Sequence, residues 1–225
     1  KVHHRKGYQI PEAGRTARGT AIVNVLPLDP GESVTAMVIT REFNDEEYLM
    51  MVTRKGTVKR IPFVALNTRR RTGIRALTLD EGDQLINVIR TNGDDNIILA
   101  TAGGMAICFA ETDIRPMGRD AVGVRGIKLR EGDEVVSVAR VREGAAVLTV
   151  TENGYGKRCA LDEYRIQGRG GYGLTNYKVD KERGNVCGIK VVDEEDDIIL
   201  ISSEGMGLYG TPYSVYSFLL VVSSA

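Results

Sequence analysis

Arginine and lysine recur along this sequence in clusters spaced by about fifty residues, beside glycine-containing turns or at the start of glycine-rich segments. Guanidinium and ammonium groups repeated at equivalent positions bind phosphate groups, and a row of them suits a phosphate polymer. The sequence therefore predicts a polyanion-binding edge formed by the following candidate residues: Arg15, Arg18, Lys55, Lys59, Arg60, Arg69, Arg70, Arg71, Arg75, Arg115, Arg119, Arg125, Lys157, Arg158 and Arg169.

Four similar apolar segments position the cations that lie beside the glycine-containing turns. Each has an apolar run, a turn with glycine and a second, half-polar run, the pattern of a tight two-residue β-hairpin, because glycine adopts positive φ without strain. The copies span residues 48–60, 97–109, 146–158 and 198–209, and their turn glycines are Gly56, Gly104, Gly154 and Gly205.

A second type of segment recurs with the same period and carries most of the arginines. Its copies begin at Arg15, Arg69, Arg119 and Arg169. Alternating apolar residues flank a later glycine turn, which predicts another pair of strands in each copy. Each repeat is therefore expected to form four short strands. The shared glycines are Gly19, Gly73, Gly123 and Gly173, followed by Gly31, Gly82, Gly132 and Gly184.

The repeat predicts an all-β fold, a propeller-like array of four-stranded blades with about 50 residues per repeat. A solenoid of stacked sheets is the alternative, since a fixed period does not show whether the array closes. We expect a single domain over residues 1–225. Its expected parts are a partial first blade at 1–40, blades at about 48–91, 97–141 and 146–192, and an incomplete or atypical last blade at 198–225.

The composition excludes several classes of function for this chain. The chain is 42% hydrophobic, and no apolar run approaches the roughly 20 residues of a membrane-spanning helix. Cys108, Cys159 and Cys187 occur singly, which favours reduced thiols and a cytoplasmic protein. Neither a catalytic arrangement around His3 and His4 nor a nucleotide-binding loop is apparent, so we expect no catalytic residue, cofactor or metal site.

The formal net charge is zero, but the two signs are segregated along the chain. Because the repeats are superposable, equivalent cations should form a basic stripe along one edge of every blade. Such a stripe can follow duplex DNA by neutralising phosphates. The alternative is that these arginines are solvated residues that balance the acidic turns. The acidic residues collect at 45–47, 80–83, 94–95, 131–134 and 193–197.

Three sequence motifs resemble a known family. The runs YQIPEAGRTARGTAIVNVLPL (8–28), MGRDAVGVRGIKLREGDEVVSV (117–138) and TENGYGKR (151–158) are similar to the C-terminal domain of the DNA gyrase A subunit, part of a bacterial type IIA topoisomerase. The resemblance implies a β-pinwheel, a propeller-like disc with strand exchange between blades, that binds, bends and wraps DNA around a basic outer edge.

The resemblance also implies partners. The domain would present DNA for ATP-dependent negative supercoiling by an A2B2 holoenzyme, which contains the gyrase B subunit together with the rest of the gyrase A chain. The catalytic tyrosine and the ATPase would lie in other domains. The isolated chain is then expected to be a monomeric, cytoplasmic, nucleoid-associated DNA-binding protein without enzymatic activity or membrane contact. The equivalent domain of topoisomerase IV and a protein-interaction propeller are the alternatives.

The family's heptapeptide QRRGGKG is expected upstream of Lys1, so the natural chain should extend further in that direction. The related segment here is a degenerate box in which glycine and tyrosine replace two basic residues. We expect this chain to bind and bend DNA without the full supercoiling function. After Gly205 the sequence departs from the family pattern, and the apolar run 217–222 either pairs with the first blade or is foreign sequence. The degenerate box comprises Gln167, Gly168, Arg169, Gly170, Gly171, Tyr172 and Gly173.

Overall fold

The computed structural model describes residues 1–201 and 207–210, with side chains described up to residue 198. Regular structure in these residues consists of antiparallel β-strands and short 3-10 turns, without an α-helix. The strands are β1 (Tyr48–Thr53), β2 (Thr57–Pro62), β3 (Leu85–Thr91), β4 (Asn96–Thr101), β5 (Met105–Ala110), β6 (Val124–Arg125), β7 (Val135–Arg140), β8 (Ala146–Thr151), β9 (Gly156–Ala160), β10 (Leu174–Thr175), β11 (Val186–Val192), β12 (Ile198–Ile201) and β13 (Gly207–Gly210).

The predicted hairpins are β1–β2, β4–β5, β8–β9 and β12–β13. In the first three hairpins the turns are longer than the predicted two residues, with three residues between β1 and β2. The amide of Gly56 donates to the carbonyl of Thr53 (3.0 Å), and Gly56 has a φ of 85°. A turn followed by a left-handed glycine is the usual three-residue hairpin. The hydroxyl of Thr53 accepts a hydrogen bond from the amide of Thr57 (3.1 Å), which closes the loop.

The first two sheets each take their outermost strand from the following repeat. The first sheet has the order β3–β1–β2–β6, and the second has the order β10–β5–β4–β7. Thus β6, which follows the β4–β5 hairpin in sequence, pairs with β2, and β10 pairs with β5 in the same way. The third sheet has the order β11–β8–β9. Neighbouring blades are therefore joined by exchanged strands.

The glycine shared by the arginine-rich segments lies where the chain crosses to the neighbouring sheet. Gly123 has a φ of 118°, and a Cβ atom there would lie 2.6 Å from the carbonyl oxygen of Val58. At Gly173 the corresponding distance to the carbonyl oxygen of Ala106 is 2.1 Å. Only glycine fits these positions, because both the positive φ and the close backbone approach exclude a side chain.

Alternate residues of each strand pack on opposite neighbours, as the two-residue period of a strand requires. Met50 and Val52 of β1 join a core with residues of the second sheet, whereas Leu49 and Met51 face the first repeat. The opposite face of the second sheet packs on the third. Strand β3 lies against β7, and β7 against β11, so these are the inner strands of adjacent blades. Strands β6 and β10 consequently lie at the outer edge.

The arginine-rich segment of the first repeat lacks the pair of strands expected for it. Val2 forms an isolated antiparallel bridge with Ile74, but residues 15–38 contain only a 3-10 turn, Ile22–Asn24, and no strand. A strand needs a hydrogen-bonded neighbour, and the described residues contain no apolar hairpin preceding this segment that could provide one. The predicted pairing of the run 217–222 lies outside the described residues.

Cys108, Cys159 and Cys187 carry reduced thiols in the described part of the chain. Burial raises the pKa of Cys108 to about 11, which makes this thiol a poor nucleophile. None of the helices among the described residues has the length and apolarity that a membrane crossing needs.

Candidate nucleic-acid interface

The arginine-rich segments lead from each hairpin to the exchanged strand and so lie along the outer edge. Residues 111–123 connect β5 to β6, and residues 161–173 connect β9 to β10. In the preceding repeat, residues 63–73 lead from β2 to the bridge at Ile74. We call these three stretches the outer connections. Their position follows from the strand exchange, because each must cross the outer side of a blade to reach its acceptor strand.

Most of the predicted arginines on these connections, just after them and on the first repeat carry free guanidinium groups. Within the described residues, their side chains are exposed and form neither an ion pair nor a side-chain hydrogen bond. They can therefore bind an external anion without breaking an internal contact. This group consists of Arg15, Arg18, Arg69, Arg70, Arg71, Arg75, Arg115, Arg119 and Arg125.

Arginines at the inner strands are neutralised instead. Arg90 on β3 pairs with Glu47, and Arg140 on β7 pairs with Asp95 at 3.5 Å. Arg142, just after β7, pairs with Asp193 at 3.0 Å and with Asp196. Charge pairing thus distinguishes the inner side of the blades from the outer edge, although the whole chain has a net charge of zero. Most of the unpaired arginines predicted for the polyanion-binding edge lie at the outer edge.

The predicted role of Lys59 in binding a polyanion is wrong in this structure. Its side chain is fully buried. The ammonium group donates to the carbonyl oxygens of Ala76 (2.7 Å), Arg119 (2.8 Å) and Ala121 (2.8 Å). Burial lowers the pKa of Lys59. The lysine fastens the outer connection of one repeat to the chain of the preceding repeat, and a phosphate cannot reach it.

Arg60 is also misassigned to the polyanion-binding edge, since it is only 7% exposed. Its guanidinium group lies 3.5 Å from the carboxylate of Glu111 and 4.4 Å from the ring centroid of Tyr48. The Glu111 carboxylate also accepts the amides of Gly93 (2.8 Å) and Asp95 (2.9 Å). Arg60 therefore belongs to a buried polar network between adjacent blades.

The remaining hairpin cations are exposed. Lys55 lies in the first hairpin turn, where its ammonium group donates to the carbonyl of Glu81 (2.7 Å). Lys157 and Arg158 are on β9, and the Lys157 ammonium lies 5.7 Å from the ring centroid of Tyr177. These three residues are accessible, but they lie beside the hairpin turns and not on the outer connections.

The degenerate box runs along the outer edge between the second and third hairpins. The amide of Gln167 donates to the carbonyl of Cys108 (2.9 Å). Arg169 is half-buried and donates to the carbonyls of Asp113 (3.1 Å) and Arg125 (3.0 Å). Gly170 has a φ of 82° and donates to the carbonyl of Gly126 (2.7 Å). Arg169 is thus partly occupied in joining backbone segments, which limits its reach for phosphate.

The acidic turns have a structural role that the charge pattern alone did not reveal. The carboxylate of Asp83 accepts the amide of Lys55 (2.9 Å), and that of Asp133 accepts the amide of Gly103 (2.7 Å). In both cases an acidic turn stabilises a hairpin turn within its own repeat. The similar separation of the two pairs along the chain, 28 and 30 residues, is the sequence signal for this contact. No group of three or more possible metal ligands occurs among the described residues.

The family model for the DNA gyrase C-terminal domain, described as a beta-propeller, matches four successive stretches, residues 5–41, 47–92, 95–142 and 145–193. The chain belongs to this family. The four matched stretches follow the repeats found from the sequence, and three of them contain the three blades that the structure describes. The family and the β-pinwheel fold that the motifs predicted are confirmed.

Curated relatives agree with this family. The DNA gyrase A subunit of Clostridium acetobutylicum is 45% identical over 208 residues, which is 92% of this chain and 25% of that protein. The corresponding protein of Halalkalibacterium halodurans is 45% identical over 121 residues, which is 54% of this chain and 14% of that protein. The chain spans about a quarter or less of the length of these relatives.

Two solved structures share the fold. The DNA gyrase A C-terminal domain aligns with a TM-score of 0.82 and 27% identity over 92% of this chain and 72% of that one. The C-terminal domain of DNA topoisomerase IV aligns with a TM-score of 0.80 and 25% identity over 91% of this chain and 66% of that one. Both enzymes' domains therefore have this arrangement of blades.

Proposed function

We propose that this chain binds duplex DNA without sequence preference and bends it around the outer edge of the blades. The observation that carries the proposal is the row of unpaired arginines on the outer connections, in contrast to the ion-paired arginines of the inner strands. An edge with uncompensated cations at repeating positions gains affinity by releasing counterions from the DNA backbone.

The elements at this edge favour phosphate contact over base readout. The outer edge consists of two-residue strands and loops, and no α-helix occurs among the described residues to enter a major groove. Guanidinium groups on such loops contact the phosphate backbone, which is the same for every sequence. Sequence preference should therefore arise only from the deformability of the DNA.

In the intact protein we infer that the chain is the C-terminal domain of a gyrase A polypeptide. The domain would wrap DNA and present it to an A2B2 holoenzyme formed with the gyrase B subunit, which introduces negative supercoils with ATP in the bacterial cytoplasm. The relatives that are DNA gyrase A subunits support this assignment. The chain alone would bind DNA as a monomer, and cleavage and ATP hydrolysis would belong to other domains.

The corresponding domain of topoisomerase IV is the second candidate. The observation in its favour is the structural similarity to that enzyme's C-terminal domain, which is close to the similarity to the gyrase domain. The degenerate box also favours a topoisomerase IV domain. The identity of 45% to a gyrase relative over most of this chain favours gyrase.

A mobility-shift titration at several salt concentrations tests DNA binding. If six phosphates are neutralised, the affinity should fall by about 10³-fold between 50 and 200 mM salt on any duplex sequence. Replacing one exposed, unpaired cation, as in Arg70→Ala, should reduce the slope of log affinity against log salt by about one on all sequences alike.

The matched control is Arg140→Ala, which removes an arginine that is ion-paired at the inner strand β7. This variant should retain the wild-type slope. Salt-independent binding by the wild-type chain, or an Arg70→Ala effect confined to one DNA sequence, would contradict the proposal. Binding to proteins but not to DNA would indicate an interaction propeller instead.

A further inference from the structure

Two backbone segments from successive repeats run side by side at the outer edge. Residues 125–128 begin in β6, and residues 169–172 lie just before β10. The amide of Gly170 donates to the carbonyl of Gly126 (2.7 Å), and the amide of Lys128 donates to the carbonyl of Gly171 (2.8 Å). We call this pair of segments the seam. Because β6 and β10 are the outer strands of neighbouring sheets, DNA following the edge must pass over the seam.

Lys128 and Tyr172 face each other across the seam. The Lys128 ammonium group lies 4.7 Å from the centroid of the Tyr172 ring. Both side chains are exposed, Tyr172 by 47%. Within the described residues Lys128 forms no ion pair with a carboxylate. The ring holds one side of the ammonium group by a cation–π interaction, and the other side faces solvent.

The residue at the equivalent position of the preceding repeat fastens the chain with its side chain, whereas Lys128 does not. Thr78 occupies that position, five residues after its crossing glycine Gly73, and its hydroxyl donates to the carbonyl of Asp120 (3.1 Å). There the side chain closes the contact between successive repeats. At the seam, backbone hydrogen bonds and Arg169 already make this contact. The charge of Lys128 is consequently available to a ligand.

We propose that Lys128 binds a DNA phosphate at the seam and that Tyr172 is the positioning residue that holds its ammonium group in place. This inference rests on the proposed DNA-binding function and adds a contact outside the arginine-rich connections. Arg125, exposed and unpaired three residues earlier, lies on the adjacent outer strand. Together the two cations extend the positive edge across the boundary between blades. An ammonium group already held on a ring loses less side-chain freedom when it binds phosphate.

Salt-dependent binding of the full chain to a duplex of mixed sequence tests this proposal. Lys128→Met keeps the apolar stem but removes the charge, so the slope of log affinity against log salt should decrease by about 0.9. Tyr172→Leu retains the ammonium group and should preserve the slope, while the affinity falls about 3-fold because the lysine is no longer held. Restoring a cation on the other segment, in Lys128→Met combined with Tyr172→Lys, should recover the wild-type slope.

The control is Lys190→Met, the same substitution at an exposed residue on the inner strand β11. It should leave the slope unchanged. If Lys128→Met behaves like Lys190→Met while the wild-type chain binds with a steep salt slope, the Lys128 contact is refuted and the proposed function stands. If the wild-type chain shows no salt-dependent binding, both proposals fail. A slope lowered by Tyr172→Leu as much as by Lys128→Met would overturn the positioning role of the ring.

Discussion

Lys59 has its ammonium group among three carbonyl oxygens from two successive repeats. Removing a charge from water is unfavourable, which is why burial lowers the pKa of this lysine, but three hydrogen bonds compensate for the lost hydration. One of its acceptors is the backbone of Arg119, whose own side chain is exposed at the outer edge. The buried Lys59 thus holds in place the backbone that carries the exposed Arg119 side chain.

Lys59→Met should destabilise the fold and leave DNA phosphate contacts unchanged. Methionine fills the space of the lysine stem, but the carbonyls of Ala76, Arg119 and Ala121 lose a donor, and a buried acceptor without a partner costs about 1–3 kcal/mol. We expect the free energy of unfolding in urea to fall by about 2–4 kcal/mol.

The control is Lys178→Met, which changes an exposed lysine and should alter the free energy of unfolding by less than about 0.5 kcal/mol. An equally small effect of Lys59→Met would show that the three hydrogen bonds do not contribute to stability. A decrease of about one in the salt slope of DNA binding by folded Lys59→Met protein would show that a phosphate contact depends on Lys59, either directly or through the Arg119 backbone that it holds.

Which cations are exposed and which are buried can be predicted from the sequence only in part. Of the arginines predicted on the glycine-rich segments, Arg169 is half-buried and the other nine are exposed. Lys59 and Arg60 lie on β2, where a period of two leaves the buried face undecided when both faces of a sheet are covered. Their partners, Arg119 and Glu111, are more than fifty residues away in the chain. The local sequence pattern gives no information about partners that are so distant in the chain.

At the scale of elements, strand exchange depends on a glycine at each crossing. Gly123 passes close to β2, and Gly173 passes close to β5. The repeated glycines were visible in the sequence, as were the hairpins, since both are local signals. The strand to which each exchanged strand pairs could not be predicted from the sequence, because β6 and β10 are two residues long and carry no periodicity. Pairing between repeats is a long-range property of the folded chain.

Gly123→Ala should disrupt the exchange between the first two sheets. Its φ of 118° is unfavourable for alanine, and the new Cβ atom would lie 2.6 Å from the carbonyl oxygen of Val58. We expect a loss of about 2–4 kcal/mol in the free energy of unfolding, with faster amide hydrogen exchange at Thr57 and Val58, the residues of β2 that pair with β6.

Gly118→Ala is the matched control on the same outer connection, because a Cβ atom at Gly118 meets nothing within 4 Å. Its effect on the free energy of unfolding should stay below about 1 kcal/mol. If the two variants unfold at the same urea concentration, the close contact at Gly123 does not secure β6.

At the scale of the molecule, the blades separate charge by position. Asp83 and Asp133 stabilise hairpin turns, Glu47 and Asp95 pair with inner arginines, and most arginines of the outer connections have no ion pair. A chain with no net charge can therefore present a positive edge. Bending 20 to 30 base pairs costs on the order of 1–6 kcal/mol, and a half-turn wrap about twice that. Contacts from several blades can offset this cost, whereas a single cation cannot.

The altered box should limit how completely the chain wraps DNA. Gly168 and Tyr172 stand at two positions where the resembling heptapeptide is basic, and Arg169 is partly occupied by backbone carbonyls. When relaxed circular DNA is bound by the chain and treated with a nicking-closing topoisomerase, we expect a positive linking shift smaller than that from a related domain with the intact heptapeptide. The reason is that fewer phosphates are held along the path.

Both proteins must be compared at saturating binding, verified by mobility shift, so that affinity does not determine the result. A shift equal to that of the box-containing domain would show that the free arginines of the outer connections suffice for wrapping, and no shift at saturation would show that binding occurs without wrapping.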